Sequence, residues 1–174
     1  MVFDISPFQF LHALAGHSSE SDALVIFLAE YFPFLVGGAL VVVLYLSGYP
    51  RLRQIHIFAT AVIAGVVARV GIVELLHSVM FRPRPFLALN FQPLVMEHSS
   101  SFPSGHAAFF FSFATAIYLY NKQWGKWFFA AAAVISIARI IAGVHYPSDI
   151  LAGSAIGIGM AYAVVRAVRY FEKS

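Results

Sequence analysis

The stretch QIHIFATAVIAGVVARVGIVELLHSVM, residues 54–80, decides the class of fold. A helix of this length rises far enough to cross the roughly 30 Å hydrocarbon core of a bilayer. Its only Lys, Arg, Asp or Glu residues are Arg69 and Glu74. The whole chain shares this character, because its 174 residues are 60% hydrophobic and only 11% charged, whereas soluble domains carry about 25% charged residues. We therefore predict an all-α integral membrane bundle.

Apolar segments on both sides of this stretch predict about five transmembrane helices within a single domain, residues 1–174. The predicted spans are residues 22–47, 54–80, 104–120, 124–144 and 147–170. Ser21 or Asp22 suits the start of the first span, and Pro33 predicts a kink in it. Residues 1–14 are too short to span and predict an N-terminal interfacial helix. Residues 86–103 are expected to form a long loop.

The distribution of Lys and Arg predicts an orientation. Seven of the eleven lie at one end of the spans, namely Arg51, Arg53, Lys122, Lys126, Arg166, Arg169 and Lys173. Because basic residues are retained in the cytoplasm, the N-terminus is expected to be external and the C-terminus cytoplasmic. The basic residues are too few and dispersed to form a nucleic-acid-binding face. The absence of cysteine excludes disulfides and thiolate catalysis.

Polar residues recur at the predicted external ends of the spans. Because burial of charge in lipid is costly, such residues indicate a functional site. Up-and-down threading brings these ends to one membrane face. The residues form three blocks: His77, Arg82 and Arg84; then Ser104, Gly105 and His106; then Arg139, His145 and Asp149. We expect the three blocks to converge on one small volume.

This combination of residues favours phosphate chemistry. Arginine binds phosphate oxygens bidentately, and the free N–H groups at a helix start attract anions. Two histidines can supply a nucleophile and a proton donor. Asp149, four residues after His145, can orient that imidazole and stabilise its cationic form. The proposed chemistry requires no metal and no other cofactor.

In order and spacing, the three blocks resemble the type 2 phosphatidic acid phosphatase family. The resemblance implies that His145 is the nucleophile forming a phosphohistidine, Asp149 its orienting acid and His106 the acid that protonates the leaving oxygen. It further implies that Arg84, Arg139, Ser104 and Gly105 hold the phosphate. The run Phe81–Phe86 and the motif Val144–Pro147 are similar to the bacterial undecaprenyl-diphosphate phosphatase branch. That branch implies undecaprenyl diphosphate as the preferred substrate, at the external face of the bacterial plasma membrane.

Two positions depart from the family pattern. His77 stands where the family usually has Lys, and Ala138 stands where it usually has Ser. His77 itself, or Arg82, is a candidate to replace the lost phosphate contact. The sequence leaves open whether Arg82 serves this role or faces the surface.

Alternative functions remain open at this stage. Phosphatidylglycerophosphate or phosphatidate could be hydrolysed by the same residues, and a non-catalytic protein that binds or flips lipid phosphates would need the same arginines. Binding alone does not require a nucleophile and its orienting acid, which favours an enzyme. The predicted partners are a polyprenyl or other lipid phosphate and membrane lipids, in a monomer or weak homodimer.

Other residues carry structural predictions. Glu30 and Arg69, both within spans, are predicted to form an ion pair because an unpaired charge is costly there. For Glu97 and His98 a solvated loop position is favoured over contact with the substrate. Gly153 and Gly157 predict close helix packing. The aromatic residues expected to mark the cytoplasmic interface are Tyr120, Trp124 and Trp127.

Overall fold

A computed structural model describes residues 2–172 of the chain, except for the side chains of residues 2 and 3. Lys173, one of the predicted cytoplasmic cations, lies outside the described residues. Every regular element within 2–172 is helical. In chain order the helices are α1 Val2–His12, α2 Ser19–Leu46, α3 Arg51–Val79, α4 Pro85–Leu89, α5 Gly105–Tyr120, α6 Lys122–Ile141 and α7 Pro147–Phe171. The predicted all-α class is confirmed.

Four helices, α2, α3, α6 and α7, are long and apolar enough to cross a membrane. The third predicted span corresponds to α5, which has 16 residues and is shorter than these four. The chain is therefore a multi-pass membrane protein. Many large apolar side chains lie on the outer surface of the bundle, as expected for helices surrounded by lipid. Phe34 and Tyr45, for example, are each 79% exposed.

Helix α5 forms the centre of the bundle and packs against α3, α6 and α7. Its buried residues interdigitate with residues of all four long helices in one apolar core. Representative members are Leu40 of α2, Ile57 of α3, Ile117 of α5, Ile135 of α6 and Ala161 of α7. This central packing fixes where the first turn of α5 lies relative to the ends of its neighbours.

Two predicted boundaries are wrong. Helix α2 begins at Ser19, ahead of the predicted start at Ser21 or Asp22, because the Ser18 hydroxyl caps it by accepting the Ser21 N–H. Loop 86–103 is interrupted at its beginning by the short helix α4, where Pro85 occupies the first turn.

The N-terminal helix α1 packs onto the end of the bundle formed by α6 and α7. Phe8 is only 1% exposed and its ring lies 5.5 Å from the ring of Tyr146. At the end of α1, His12 Nδ1 is 2.8 Å from the Ile141 carbonyl oxygen. These contacts close one side of the end of the bundle that carries the three polar blocks.

Two glycines let α7 approach α5 closely. A methyl group at Gly153 would lie 2.4 Å from the Ser104 carbonyl oxygen, and one at Gly157 would lie 2.3 Å from that of Ala108. Both separations are shorter than any stable contact. The helices can approach this closely only because glycine has no side chain. The two glycines thus hold α7 against the first half of α5.

Substitution of one of these glycines should loosen the bundle. We expect Gly157→Ala to destabilise the protein by about 1–3 kcal/mol, because the added methyl group must push α7 away from α5. Thermal unfolding in detergent measures the effect. Gly159→Ala is the matched control, since a methyl group there meets nothing within 4 Å. Equal melting temperatures for the two variants would contradict the close-packing argument.

Candidate active site

A narrow cavity with an accessible volume of about 20 Å³ lies at the end of the bundle where α3 ends and α5 begins. Residues of α3 and of the segment that follows it line one part of the cavity. The start of α5, the loop before α7 and two residues of loop 86–103 line the rest. The lining residues are Arg69, Glu74, His77, Arg84, Glu97, Ser99, Gly105, His106 and His145. All three sequence blocks therefore contribute to one cavity.

His145 lies in the loop between α6 and α7, and its ring is held in one tautomer. Nδ1 is 2.9 Å from the Ser101 carbonyl oxygen. Because a carbonyl can only accept, Nδ1 carries the proton and Nε2 keeps its lone pair. Nε2 lies 3.4 Å from Arg84 Nη1. The unprotonated nitrogen thus faces the guanidinium that lines the cavity.

The charge state of His145 follows from its surroundings. Burial, together with the nearby Arg139 and Arg84 guanidiniums, lowers the pKa of His145 to about 4, although Asp149 acts in the opposite direction. The imidazole is consequently neutral near pH 7. A neutral ring with a free nitrogen is the form that can attack an electrophile.

The Asp149 carboxylate is fully buried at the start of α7. Its Oδ2 accepts hydrogen bonds from the Ser101 hydroxyl at 2.5 Å and from the Tyr146 N–H at 2.8 Å. The same oxygen lies 3.6 Å from His145 Nδ1. Asp149 thus stands next to the imidazole, and the shorter contact that orients the ring is made by the carbonyl group of Ser101.

Arg84 is 2% exposed and is fixed by carbonyl groups. Its Nε donates to Ser99 O at 2.8 Å and its Nη1 donates to Val144 O at 2.9 Å. Burial lowers the pKa of Arg84 to about 10, so the group stays charged at neutral pH. The guanidinium is therefore a fixed positive charge beside His145.

Arg139 is fully buried near the end of α6, and two carboxylates hold it. Its Nη1 donates to Glu30 at 3.1 Å, and its Nη2 donates to Glu97. The predicted pair between Glu30 and Arg69 is wrong, because Glu30 reaches the deeper arginine on α6. Arg139 is not among the residues that line the cavity, since Glu97 stands in front of it.

Glu97 also approaches the second arginine of the site. One of its carboxylate oxygens lies 3.6 Å from Arg84 Nη2. Burial opposes ionisation of this carboxyl, but Arg139 and Arg84 hold the pKa of Glu97 below its ordinary value. The interpretation of Glu97 as a solvated loop residue is therefore wrong, whereas its neighbour His98 is exposed as expected.

Arg82 lies outside the cavity. Its guanidinium donates to Asp149 at 2.5 Å and to Asp4 at 2.6 Å, and it covers the Tyr146 ring at 4.3 Å. Burial opposes ionisation of Asp4, but hydrogen bonds from Arg82 and Ser148 hold the pKa of Asp4 below its ordinary value. Of the two interpretations left open, neither a surface residue nor a phosphate ligand describes this position, because Arg82 links α1 to the start of α7.

The first turn of α5 presents backbone N–H groups to the cavity. Ser104 is the N-cap, and its hydroxyl accepts the Ala107 N–H at 3.4 Å. That hydroxyl is thereby turned into the helix and is not part of the cavity lining. Gly105 and His106 occupy the first two helical positions, whose N–H groups have no partner within a helix. The His106 ring lines the cavity.

His77 lines the opposite side of the cavity, at the position where the resembled family has Lys. Its Nε2 lies 3.0 Å from the Pro103 carbonyl oxygen, while Nδ1 is buried without a hydrogen-bond partner among the described residues. Glu74, one turn earlier, also lines the cavity and is largely exposed. It makes no ion pair with an arginine of the site within residues 2–172.

Three residues of the site were not found by sequence reasoning. Ser101 orients His145 through its backbone carbonyl, a group that every residue possesses. Ser99 binds Arg84 through its carbonyl and its hydroxyl. Glu97 was considered and assigned to solvent. The one sequence feature that indicates a position of Glu97 in the site is its negative charge in a loop that follows the arginines of the first block.

Comparison with known proteins identifies the family. The PAP2 superfamily matches residues 58–173. The chain is 35% identical over 157 residues to the bacitracin transport permease protein BcrC of Bacillus licheniformis. This alignment covers 89% of this chain and 75% of the relative. It is 29% identical over 163 residues to the undecaprenyl-diphosphatase BcrC of Bacillus subtilis (strain 168), covering 91% and 81%.

The fold is also similar to a solved structure. The crystal structure of LpxE from Aquifex aeolicus superposes with a TM-score of 0.76 at 23% identity, over 95% of this chain and 96% of that chain. The family match contains all three polar blocks and more than half of the chain. The chain belongs to the PAP2 superfamily and is a membrane phosphatase.

Proposed function

We propose that this phosphatase hydrolyses undecaprenyl diphosphate to undecaprenyl phosphate and inorganic phosphate, without a metal ion, through a phosphohistidine on His145. The state of the His145 ring is the observation that carries the proposal. Its Nδ1 is bound to the Ser101 carbonyl oxygen at 2.9 Å, which leaves the Nε2 lone pair beside Arg84 in the cavity. Attack on phosphorus requires such a neutral, oriented imidazole next to a cation.

Two observations support a polyprenyl diphosphate as the substrate. The Bacillus subtilis relative is named an undecaprenyl-diphosphatase. An apolar groove between α2, α3 and α5 also adjoins the cavity, and Arg69 and His106 line both. A long isoprenoid chain in this groove would bring its headgroup to the cavity. Phosphatidylglycerophosphate and phosphatidate are the rival substrates, since the same residues would act on them.

The first chemical step transfers the terminal phosphoryl group to the enzyme. The Nε2 lone pair of His145 forms a bond to the terminal phosphorus, and the bond from phosphorus to the bridging oxygen breaks. The electron pair stays on that oxygen, which His106 protonates as undecaprenyl phosphate leaves. The imidazole becomes cationic, and the nearby Asp149 carboxylate stabilises it at 3.6 Å from Nδ1.

The second step releases phosphate. His106, now neutral, accepts a proton from water while the water oxygen attacks the phosphorus of phosphohistidine. The phosphorus–nitrogen bond breaks, and its electron pair restores the neutral ring of His145. Microscopic reversibility assigns both proton transfers to the same histidine, as in other two-step hydrolyses.

Charge on the transferring group requires cations that surround it. Arg84 supplies one directly from the cavity wall, and the N–H groups of Gly105 and His106 supply partial positive charge. Arg139 supplies a second guanidinium once Glu97 moves aside. The Glu97 carboxylate bridges Arg139 and Arg84, as the oxygens of a bound phosphate would.

A protein that only binds or flips lipid phosphates is the rival from another class, and the name of the Bacillus licheniformis relative describes transport. Binding would require Arg84 and the start of α5. It would not require a tautomer of His145 fixed with Nε2 unprotonated. This arrangement supports turnover over binding alone.

The proposed orientation puts the cavity at the external face of a bacterial plasma membrane, with the whole chain acting as one domain. At the opposite end of the bundle, Arg53 lies 4.2 Å from the Tyr49 ring and Arg169 donates to Leu119 O. Basic residues gather at this second end, which supports a cytoplasmic location for it.

Phosphate release by the purified protein tests the function. We expect release from undecaprenyl diphosphate to exceed that from phosphatidylglycerophosphate and phosphatidate, and to persist in a chelator. His145→Ala should lower the rate by at least about 10³-fold because the nucleophile is lost. His17→Ala is the matched control, since His17 is exposed and does not line the cavity.

Each contrary outcome of this assay removes a different part of the proposal. Loss of activity in chelator contradicts the metal-free mechanism, and wild-type rates in His145→Ala contradict the nucleophile. Preference for a diacylglycerol phosphate transfers the function to the rival substrates. Binding of all the lipids without phosphate release favours the transport class.

The pH dependence of the rate tests the role of the nucleophile. Since burial lowers the pKa of His145 to about 4, the neutral ring is available above this pH and is lost as the pH falls through it. We expect kcat/KM to show an acid limb near pH 4 from this group. Asp149→Asn removes the group that raises this pKa, so the limb should shift to lower pH while the rate falls about 10²- to 10⁴-fold.

Asp4→Asn is the control for this pH profile, because Asp4 shares Arg82 with Asp149 but does not touch His145. Its profile should keep the acid limb of the wild type. An upward shift of the limb in Asp149→Asn would contradict the assignment of Asp149 as the stabiliser of the cationic ring.

Removal of the Glu97 charge tests its competition with phosphate. We expect Glu97→Gln to tighten inhibition by inorganic phosphate and by orthovanadate about 3- to 10-fold, because the arginines are no longer neutralised in the free enzyme. The melting temperature should fall, since the buried Arg139 loses a charged partner. His98→Ala is the neighbouring control. Weaker inhibition in Glu97→Gln would show that the carboxylate assists phosphate binding.

A further inference from the structure

Arg69 is a half-buried cation on α3 that has no part in the proposed transfer of phosphate to and from His145. It lies on α3, within a π-helical segment Val67–Val73. Its side chain is half-buried, and it makes no hydrogen bond or ion pair with any residue in the described part of the chain. An unpaired charge in a membrane helix is costly, and such charges mark functional sites. π-Helical turns concentrate at functional sites as well.

The position of Arg69 relates it to the substrate. Arg69 lines the catalytic cavity, and it also lines the apolar groove formed by residues such as Phe34, Gly38, Val62 and Phe113. His106 is the other residue shared by the two spaces. The order along this path is therefore His145 and Arg84 in the cavity, then His106 and Arg69 at the junction, then the groove.

The electrostatic surroundings of Arg69 are unfavourable without an anion. A methyl group at Gly105 would lie 3.7 Å from Arg69 Cζ and 3.8 Å from its Nε. The guanidinium therefore rests against the first turn of α5, whose free N–H groups carry partial positive charge. Two positive groups so close to each other repel, and an anion bound between them would satisfy both.

We propose that Arg69 binds the lipid-proximal phosphate of a diphosphate substrate, and that it thereby selects lipid diphosphates over lipid monophosphates. This inference rests on the proposed function. The terminal phosphate contacts His145 and Arg84, the bridging oxygen faces His106, and the proximal phosphate faces Arg69. The isoprenoid chain then continues into the groove.

This placement has a chemical consequence for the first step. When the terminal phosphorus moves to His145 Nε2, the bridging oxygen leaves as part of a lipid monophosphate. His106 protonates this oxygen, and Arg69 neutralises the remaining charge of the leaving group. In a lipid monophosphate the phosphate attached to the chain is itself transferred, so no anionic group faces Arg69. The benefit of Arg69 is therefore confined to diphosphates.

A comparison of two substrates with the same chain tests this selectivity. We expect Arg69→Met to lower kcat/KM for farnesyl diphosphate about 10- to 100-fold, the usual effect of one lost charged contact. Hydrolysis of farnesyl phosphate should stay within about threefold of the wild type. Arg69→Lys should recover part of the loss because it keeps the charge. Arg53→Met, which removes a cation from the far end of the same helix, should change neither substrate.

Inhibition gives a second measurement that does not depend on monophosphate turnover. Farnesyl methylenediphosphonate carries both phosphorus groups and cannot be cleaved between them, whereas orthovanadate mimics the transferred group alone. Arg69→Met should weaken inhibition by the diphosphonate about 10-fold or more and leave inhibition by orthovanadate unchanged. A merely structural role of Arg69 would affect both inhibitors alike.

The outcomes separate this inference from the proposed function. Equal losses on both farnesyl substrates, or no loss on either, overturn the role of Arg69 while wild-type diphosphate hydrolysis still stands. A wild-type enzyme that does not hydrolyse polyprenyl diphosphates overturns the proposed function itself, before any Arg69 variant is compared.

Discussion

The buried carboxylate of Asp149 is the group on which the geometry of the site depends. It accepts hydrogen bonds from Arg82, from the Ser101 hydroxyl and from the Tyr146 N–H. These donors belong to three separate segments: the chain after α3, the loop before α5 and the start of α7. A buried charge is stable only while such donors remain in place. One anion therefore holds together the segments that also carry the Ser101 carbonyl and the His145 ring.

The bilayer explains why the remaining charges are arranged so differently from one another. Lipid cannot solvate them, so charged groups are stable only when other charges or a water-accessible space receive them. Arg82 and Arg139 are each neutralised by two carboxylates. Arg69 has no such partner among the described residues and lies where an apolar groove meets the polar cavity. The groove, Arg69, His106 and His145 follow one another in the order that the proposed binding of a lipid diphosphate requires for its chain, proximal phosphate, bridging oxygen and terminal phosphate.

The long helices were predictable because their apolar lengths match a membrane, and errors were confined to their ends. The start of α2 was missed since Ser18, Ser21 and Asp22 all suit a helix start, and only the hydrogen bond between the first two decides among them. The three polar blocks were found from their spacing. The pairing of Glu30 with Arg139 of α6 was not predicted. Position along the spans gives the approximate depth of a residue in the membrane, but it does not show whether α3 with Arg69 or α6 with Arg139 lies beside Glu30.

By itself the sequence determined the membrane-embedded helical class, the three blocks and the family they belong to, since hydropathy and motif spacing are local properties of the chain. Only the tertiary structure decided the partners of each charged group. It turned Arg82 towards Asp4 and Asp149, set Glu97 across Arg84 and left Arg69 without a counter-charge. The physical reason is that hydrogen bonds and ion pairs act over a few ångströms, and contacts at this range between distant segments are fixed by how the helices pack.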